Sequence, residues 1–140
     1  MYGEYAHVVD GKGRMFLPSK FRTKLGEQVY LAKVLDNCIS IFSDDSFHKF
    51  MAKIESHPNV VTMGRELTRK ISSTVSVSDV DAQGRVLLPL RLRESLGIGK
   101  SVIVVGMGDR AEIWDPAEYE KSLERVDDQK VEDILKALGM

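Results

Sequence analysis

The stretch Asp10-Gly11-Lys12-Gly13-Arg14-Met15-Phe16-Leu17-Pro18 occurs twice in this chain. The second copy, Asp81-Ala82-Gln83-Gly84-Arg85-Val86-Leu87-Leu88-Pro89, follows at an offset of 71 residues. The correspondence continues through Ser19–Gly26 and Leu90–Gly97, keeping an arginine, a leucine and a glycine in step. At an offset of 72 residues, Ile41-Phe42 and Phe47 answer to Ile113-Trp114 and Tyr119. A match over about forty residues is a duplicated structural unit, and it restricts the chain to folds that can be built from one unit used twice.

Each copy reads as strand, tight turn, strand and short helix. In Asp-x-x-Gly-Arg the glycine supplies the positive φ of a tight turn, and the aspartate can accept hydrogen bonds from the turn's own N–H groups. The arginine then leaves the turn from a fixed place, with a planar fork suited to phosphate or to a guanine edge. Met15-Phe16-Leu17 and Val86-Leu87-Leu88 read as buried strands. Pro18 and Pro89 end them and start a helix, and Gly26 or Gly97 stops it. A local Asp–Arg ion pair that only shapes a loop is the alternative for either copy. Its recurrence in register weighs against that alternative, because core and turn requirements do not call for an exposed arginine twice.

Around these units lie further elements. Glu4–Val9 reads as a strand. Val29–Ala32 and Ile39–Phe42 form a hairpin about Leu35-Asp36-Asn37, and Val102–Val105 and Ala111–Trp114 form another about Met107-Gly108-Asp109. Phe47, Phe50, Met51 and Ile54 trace the core-facing stripe of a helix. Val60–Ile71 reads as one further helix, with Met63, Leu67 and Ile71 in line, and Ser72–Val80 as a strand. Asp115-Pro116-Ala117-Glu118 is a capping box opening a helix. The chain ends on a stripe of Val131, Ile134, Leu135 and Leu138, which has to cover this chain's core or meet another subunit.

Of the 140 residues, 43% are hydrophobic, ample for one shared core, whereas a half of about 45 residues would be marginal alone. The single cysteine, Cys38, excludes an intramolecular disulfide and reads as a buried, inert thiol; a reducing cytosol fits. His7, His48 and His57 have no partners at metal-ligand spacing. No apolar run has the length of a membrane span, and the first residues carry no signal-peptide pattern. The net charge is −1, unlike the strongly basic balance of a generic polyanion binder. Its distribution is uneven. Nine acidic and four basic residues from Glu112 to Met140 give −5, so residues 1–111 carry +4. Lys12, Arg14, Lys20, Arg22 and Lys24 crowd about the first turn in sequence, and Arg85, Arg91 and Arg93 about the second.

The doubled Asp-x-x-x-Arg, each copy followed by three apolar residues and proline, resembles the MraZ family of bacterial transcription regulators. The likeness runs through Glu112-Ile113-Trp114-Asp115 and covers nearly the whole chain. Each half is similar to a SpoVT/AbrB-type swapped-hairpin domain. The resemblance implies an α+β fold in which two tandem swapped-hairpin (AbrB/MazE-like) repeats form a pseudo-twofold intertwined β-barrel with flanking helices. Repeat 1 would span 5–47, a helical connection 48–75, repeat 2 76–119, and a C-terminal helical segment 120–140. It also implies a sequence-specific regulator binding double-stranded DNA at short repeated boxes, upstream of a division and cell-wall gene cluster that includes its own gene. A cytoplasmic, nucleoid-associated homo-oligomer, assembled as a ring, is implied as well.

On that reading Arg14 and Arg85 contact bases or phosphates, and Lys12, Lys20 and Arg22 add phosphate contacts. Asp10 and Asp81, with Gly13 and Gly84, position the turns. Lys12 against Gln83 makes the two turns unequal. No catalytic residue, metal, cofactor or small-molecule substrate is expected: there is no nucleophile–base set, phosphate-cradling glycine loop or supported carboxylate pair. An antitoxin of the same superfold, which would usually carry one repeat and a disordered tail, a hydrolase using the Asp–Arg pairs, and a scaffold ring without nucleic acid are the rival readings.

Overall fold

In the computed structural model, residues 1–63 and 65–140 are described, with the side chains of Val60, Val61 and Thr62 set aside. The elements run β1 (Glu4–Val8), β2 (Arg14–Phe16), α1 (Ser19–Leu25), β3 (Gln28–Ala32), β4 (Ile39–Ser43) and α2 (Asp44–Glu55). Two short helices follow, α3 (Pro58–Met63) and α4 (Glu66–Ser72). Then come β5 (Ser76–Asp79), β6 (Arg85–Leu87), α5 (Leu90–Ser95), β7 (Ser101–Gly106), β8 (Ala111–Trp114), α6 (Pro116–Glu124) and α7 (Asp128–Ala137).

The repeats complete one another. A six-stranded antiparallel sheet runs in the order β1-β7-β8-β4-β3-β5. Its first strand, β1 of repeat 1, pairs with β7 of repeat 2, Ala6 opposite Ile103. At the other edge β5 of repeat 2 pairs with β3 of repeat 1, Tyr30 opposite Val77. The centre is the contact of β4 with β8, where Ser40 faces Glu112. A separate two-stranded ribbon joins β2 to β6, with Met15 opposite Val86. The fold is therefore mixed α+β with mainly antiparallel pairing. Among the described residues β1 and β5 are open edges, and no pairing closes the sheet into a barrel.

One core lies between the ribbon, the sheet and helices α1 and α5. Met15, Leu17 and Val86, Leu88 turn inward from the ribbon, Phe21 and Leu25 from α1, and Leu92 from α5; they meet Val29, Leu31, Ile39, Ile41, Val102, Val104 and Ile113 of the sheet. Strand periodicity explains the choice. Met15 and Val86 point in, so their neighbours Arg14, Phe16, Arg85 and Leu87 point out. Truncating a fully buried member such as Leu31 removes both transfer energy and packing, about 2–5 kcal/mol. The helices start as the sequence indicates. Ser43 accepts from Ser46 N at 3.1 Å, and Asp115 accepts from Glu118 N at 3.2 Å.

Three expectations change. The 60–71 run is not read as one helix: α3 ends at Met63 and α4 starts at Glu66, with Arg65 at its N-cap. Gly64, between them, lies outside the described residues. The strand expected over 72–80 shrinks to Ser76–Asp79, because the Thr74 hydroxyl donates to Ile71 O at 2.8 Å and accepts from Lys33 N at 3.1 Å, extending the helical end. The stripe on α2 is only partly covered: Phe47 is buried against Tyr30 and Phe42, while Phe50, Met51 and Ile54 are half-exposed. The terminal stripe covers nothing of this chain. Val131, Ile134, Leu135 and Leu138 are 43%, 56%, 42% and 67% exposed.

The exchange of β1 and β5 carries a measurable consequence. A fragment of residues 1–57 keeps β1 without its partner β7, and β3 without β5. It is expected not to form a folded monomer; a cooperative thermal transition from a species sedimenting at monomer mass would contradict this.

Candidate functional site

Both turns are built the same way, atom for atom. In the first, Asp10 Oδ1 accepts from the backbone N–H groups of Lys12 and Arg14, each at 2.9 Å, and Oδ2 accepts from Arg14 Nε at 2.9 Å. In the second, Asp81 Oδ1 accepts from Gln83 N at 3.0 Å and Arg85 N at 2.8 Å, and Oδ2 from Arg85 Nε at 2.8 Å. Gly13 N donates to Asp10 O and Gly84 N to Asp81 O, with φ of +81° and +82°, a backbone open to glycine at no steric cost. The carboxylate thus ties the turn and the arginine together. It engages only the Nε edge. Among the described residues the two Nη groups of Arg14 and of Arg85 have no hydrogen-bond partner.

These bonds hold the charge on the carboxylates. Asp10 stays below the ordinary aspartate value, mainly through the Arg14 backbone N–H; partial burial opposes this, and the Lys12 N–H and the Arg14 side chain add to it. Asp81 is lowered in the same way, led by the Arg85 N–H.

The ribbon brings the turns together. Arg14 pairs with Leu87 and Arg85 with Phe16, so the arginines are diagonal neighbours on one face, about 7–8 Å apart at Cα. Phe16 and Leu87 share that face and are exposed, and Arg85 Cζ lies 5.8 Å from the Phe16 ring centre. Lys12 and Lys20 are exposed as well.

Arg22 is placed differently from its position in sequence. It does not gather at the first turn. Its guanidinium lies against Gly84 of the second, where a Cβ would overlap Cζ, Nε and Nη1. Arg93, from the second repeat, lies against Gly13 of the first, its Nη2 2.7 Å from where a Cβ would stand. The backbone causes the crossing: Leu17 N donates to Gly84 O at 3.0 Å and Leu88 N to Gly13 O at 2.8 Å, so each helix starts beside the other repeat's turn. The 71-residue offset that matches Arg93 to Arg22 was the available signal; proximity in sequence concealed the exchange.

Other polar groups offer less. Cys38 is fully buried, and burial, followed by Glu112 nearby, raises its thiol far above the usual range. Glu112 is buried beside Trp114, whose Nε1 donates to its Oε1 at 3.2 Å. His48 is tied to its own helix through Asp44 O at 2.8 Å. Among the described residues no three of His, Cys, Asp and Glu gather as a metal site, and no helix is long and apolar enough to cross a membrane.

Residues 1–70 and 73–137 match the family model of the MraZ protein, whose description also likens that family to antitoxins. A protein of Acetivibrio thermocellus named Transcriptional regulator MraZ is 42% identical over 119 residues, covering 85% of this chain and 83% of that protein. The Alkaliphilus oremlandii protein of the same name gives the same identity and coverage. One from Mycoplasmopsis pulmonis is 34% identical over 134 residues, 96% of this chain and 91% of its own.

The charge on the turn carboxylates predicts acid behaviour. A lowered folded-state pKa means that the stabilisation is present above the unfolded value of 3.8 and is lost as pH falls through the folded value. Asp81→Asn lacks that contribution throughout. The stability difference between parent and variant, from urea unfolding at successive pH values, is expected to be constant near neutrality and to narrow below about pH 4. A difference independent of pH down to 2 would deny the carboxylate its role.

Proposed function

Because the chain belongs to the MraZ family, whose relatives bear the name of transcriptional regulators, we propose that it regulates transcription by binding double-stranded DNA sequence-specifically. The carrying observation is the ribbon face with its two carboxylate-held arginines. A two-stranded ribbon is one of the two elements that fit the major groove of B-DNA, and the free Nη pair of each arginine matches O6 and N7 of guanine or two phosphate oxygens. Asp10 and Asp81 fix where each fork points, so ordering entropy is not lost again on binding. Lys12, Lys20 and Arg22 add cations for phosphates, which set position while base edges set sequence. The targets are short repeated boxes upstream of a division and cell-wall gene cluster that includes the protein's own gene.

The strand exchange supports reading the halves as swapped hairpins of the AbrB/MazE-like kind, wound about a pseudo-twofold axis into an intertwined barrel. The repeats are 5–47 and 76–119, the connection 48–75, and the terminal segment 120–140. That segment supports the regulator over the antitoxin reading, because α7 is a helix rather than a disordered, partner-wrapping tail. Its exposed stripe supports a homo-oligomer, in the form of a ring, with a second copy of the chain covering Ile134, Leu135 and Leu138. The protein then works on DNA in the cytoplasm, at the nucleoid, without cofactor, small-molecule substrate or catalysis.

Arg14→Ala and Arg85→Ala are each expected to weaken binding to DNA from upstream of the gene by about 1–3 kcal/mol while circular dichroism stays as in the parent. Fluorescence anisotropy titrations test this; parental affinity in both folded variants would remove the turns from the site. Glutamate at both Leu135 and Leu138 is expected to lower the sedimenting mass without loss of helix or sheet signal. An unchanged oligomer would remove the terminal stripe from the subunit contact.

A further inference from the structure

Each turn carries more positive charge than its own aspartate neutralises, and the excess comes from the other repeat. Arg14 takes the Asp10 carboxylate through Nε. Arg93 then lies over Gly13, the residue before Arg14, with Nη2 2.7 Å and Cζ 3.2 Å from an ideal Cβ position. Its Nε donates to Leu88 O at 3.1 Å, which fixes the guanidinium plane and leaves the Nη groups at the turn. Arg22 occupies the equivalent position over Gly84 beside Arg85. Among the described residues neither Arg22 nor Arg93 has a carboxylate partner. Arg22 also acts on His7: burial, and next the Arg22 charge, hold that imidazole below its ordinary pKa. Each turn thus has two guanidiniums placed on it, one bonded to its carboxylate and one over its glycine. An anion arriving at such a turn meets two planar donors, of which its own aspartate neutralises one.

We propose that the DNA-contacting arginines act in pairs drawn from both repeats, Arg14 with Arg93 and Arg85 with Arg22, so that Arg93 is a further DNA-contacting residue. This rests on the DNA-binding reading given above. Arg14 and Arg85 come from the strand start and carry the sequence-reading fork. Arg93 and Arg22 come from the last turn of a short helix in the opposite repeat and take the phosphate beside it. The glycines at 13 and 84 then serve two ends: the positive φ of the turn, and the absence of a side chain where the second guanidinium lies.

The experiment is a set of titrations on the same upstream DNA. Arg93→Ala is expected to weaken binding roughly tenfold. The pair Arg14→Ala with Arg93→Ala should depart from the product of the single effects by more than about threefold, whereas Arg14→Ala with Arg22→Ala should match its product within about twofold. The reverse pattern, coupling within a repeat, overturns the proposal. Arg93→Lys and Arg93→Gln separate charge from scaffolding, since both lose the bond to Leu88. Lysine should keep the salt dependence of the parent, and glutamine should flatten it by about one ion per bound turn. Equal salt slopes for the two would make Arg93 a structural residue and overturn its contact with DNA. If Arg14→Ala weakens binding and Arg93→Ala does not, the pairing fails and the regulator reading stands. If no arginine variant weakens binding, the reading on which the pairing rests fails with it.

Discussion

The backbone N–H and C=O groups of β1 find their partners on β7, and those of β5 on β3; the rest of the structure depends on this exchange. An unpaired strand edge facing its own core would leave polar groups buried without partners, a cost that folded chains almost never accept. Neither repeat can meet that requirement from its own residues in the observed arrangement. Once the strands are exchanged, Met15 and Val86 are brought side by side, and the two halves must share one apolar interior. The bonds from Leu17 to Gly84 and from Leu88 to Gly13 follow from the same crossing. The position of each turn is thereby fixed by the opposite half of the chain.

Within that frame, a single aspartate organises each turn. Its three accepted hydrogen bonds restrain the backbone at two points and the arginine side chain at a third. Charge, geometry and orientation are settled by the same group. An arginine held only by its aliphatic stem would sample many rotamers and lose that freedom on every binding event, a loss of order 1–2 kcal/mol. Here the restraint is part of the fold and is maintained by the low pKa of the carboxylate.

Much of this could be read from the residues. The duplicated Asp-x-x-Gly-Arg-φ-φ-φ-Pro pattern, with φ an apolar residue, marks turn, strand and helix start because each depends on local chemistry: glycine for the turn, alternation for the strand, proline for the helix. The hairpins of β3 with β4 and β7 with β8 were legible for the same reason. Long-range placement was not. Arg22 lies eight residues after Arg14 in the chain yet belongs in space to the turn before Arg85, since nothing local records which strand a neighbouring strand will pair with. Nor does periodicity say where an apolar face goes. The stripe of Phe47 is partly buried on this chain, and that of Leu135 is not, although both have the same spacing. The Ser72–Val80 stretch reads as a strand by alternation, but the hydroxyl of Thr74 favours the helical end.

Fusing two equal units into one chain also removes an obligation. In a dimer of identical subunits the two turns must be the same, because one gene segment specifies both. Here each segment is free to drift. Lys12 stands where the second turn has Gln83, and Gly11 where it has Ala82. The buried ribbon residues remain interchangeable apolar types, since they pack against one another, but the exposed loop positions have diverged. The outward face therefore has a head and a tail. On the DNA-binding reading proposed above, a surface of this kind has no need of a palindrome beneath it, and its orientation on an asymmetric set of contacts is written into the order of the chain.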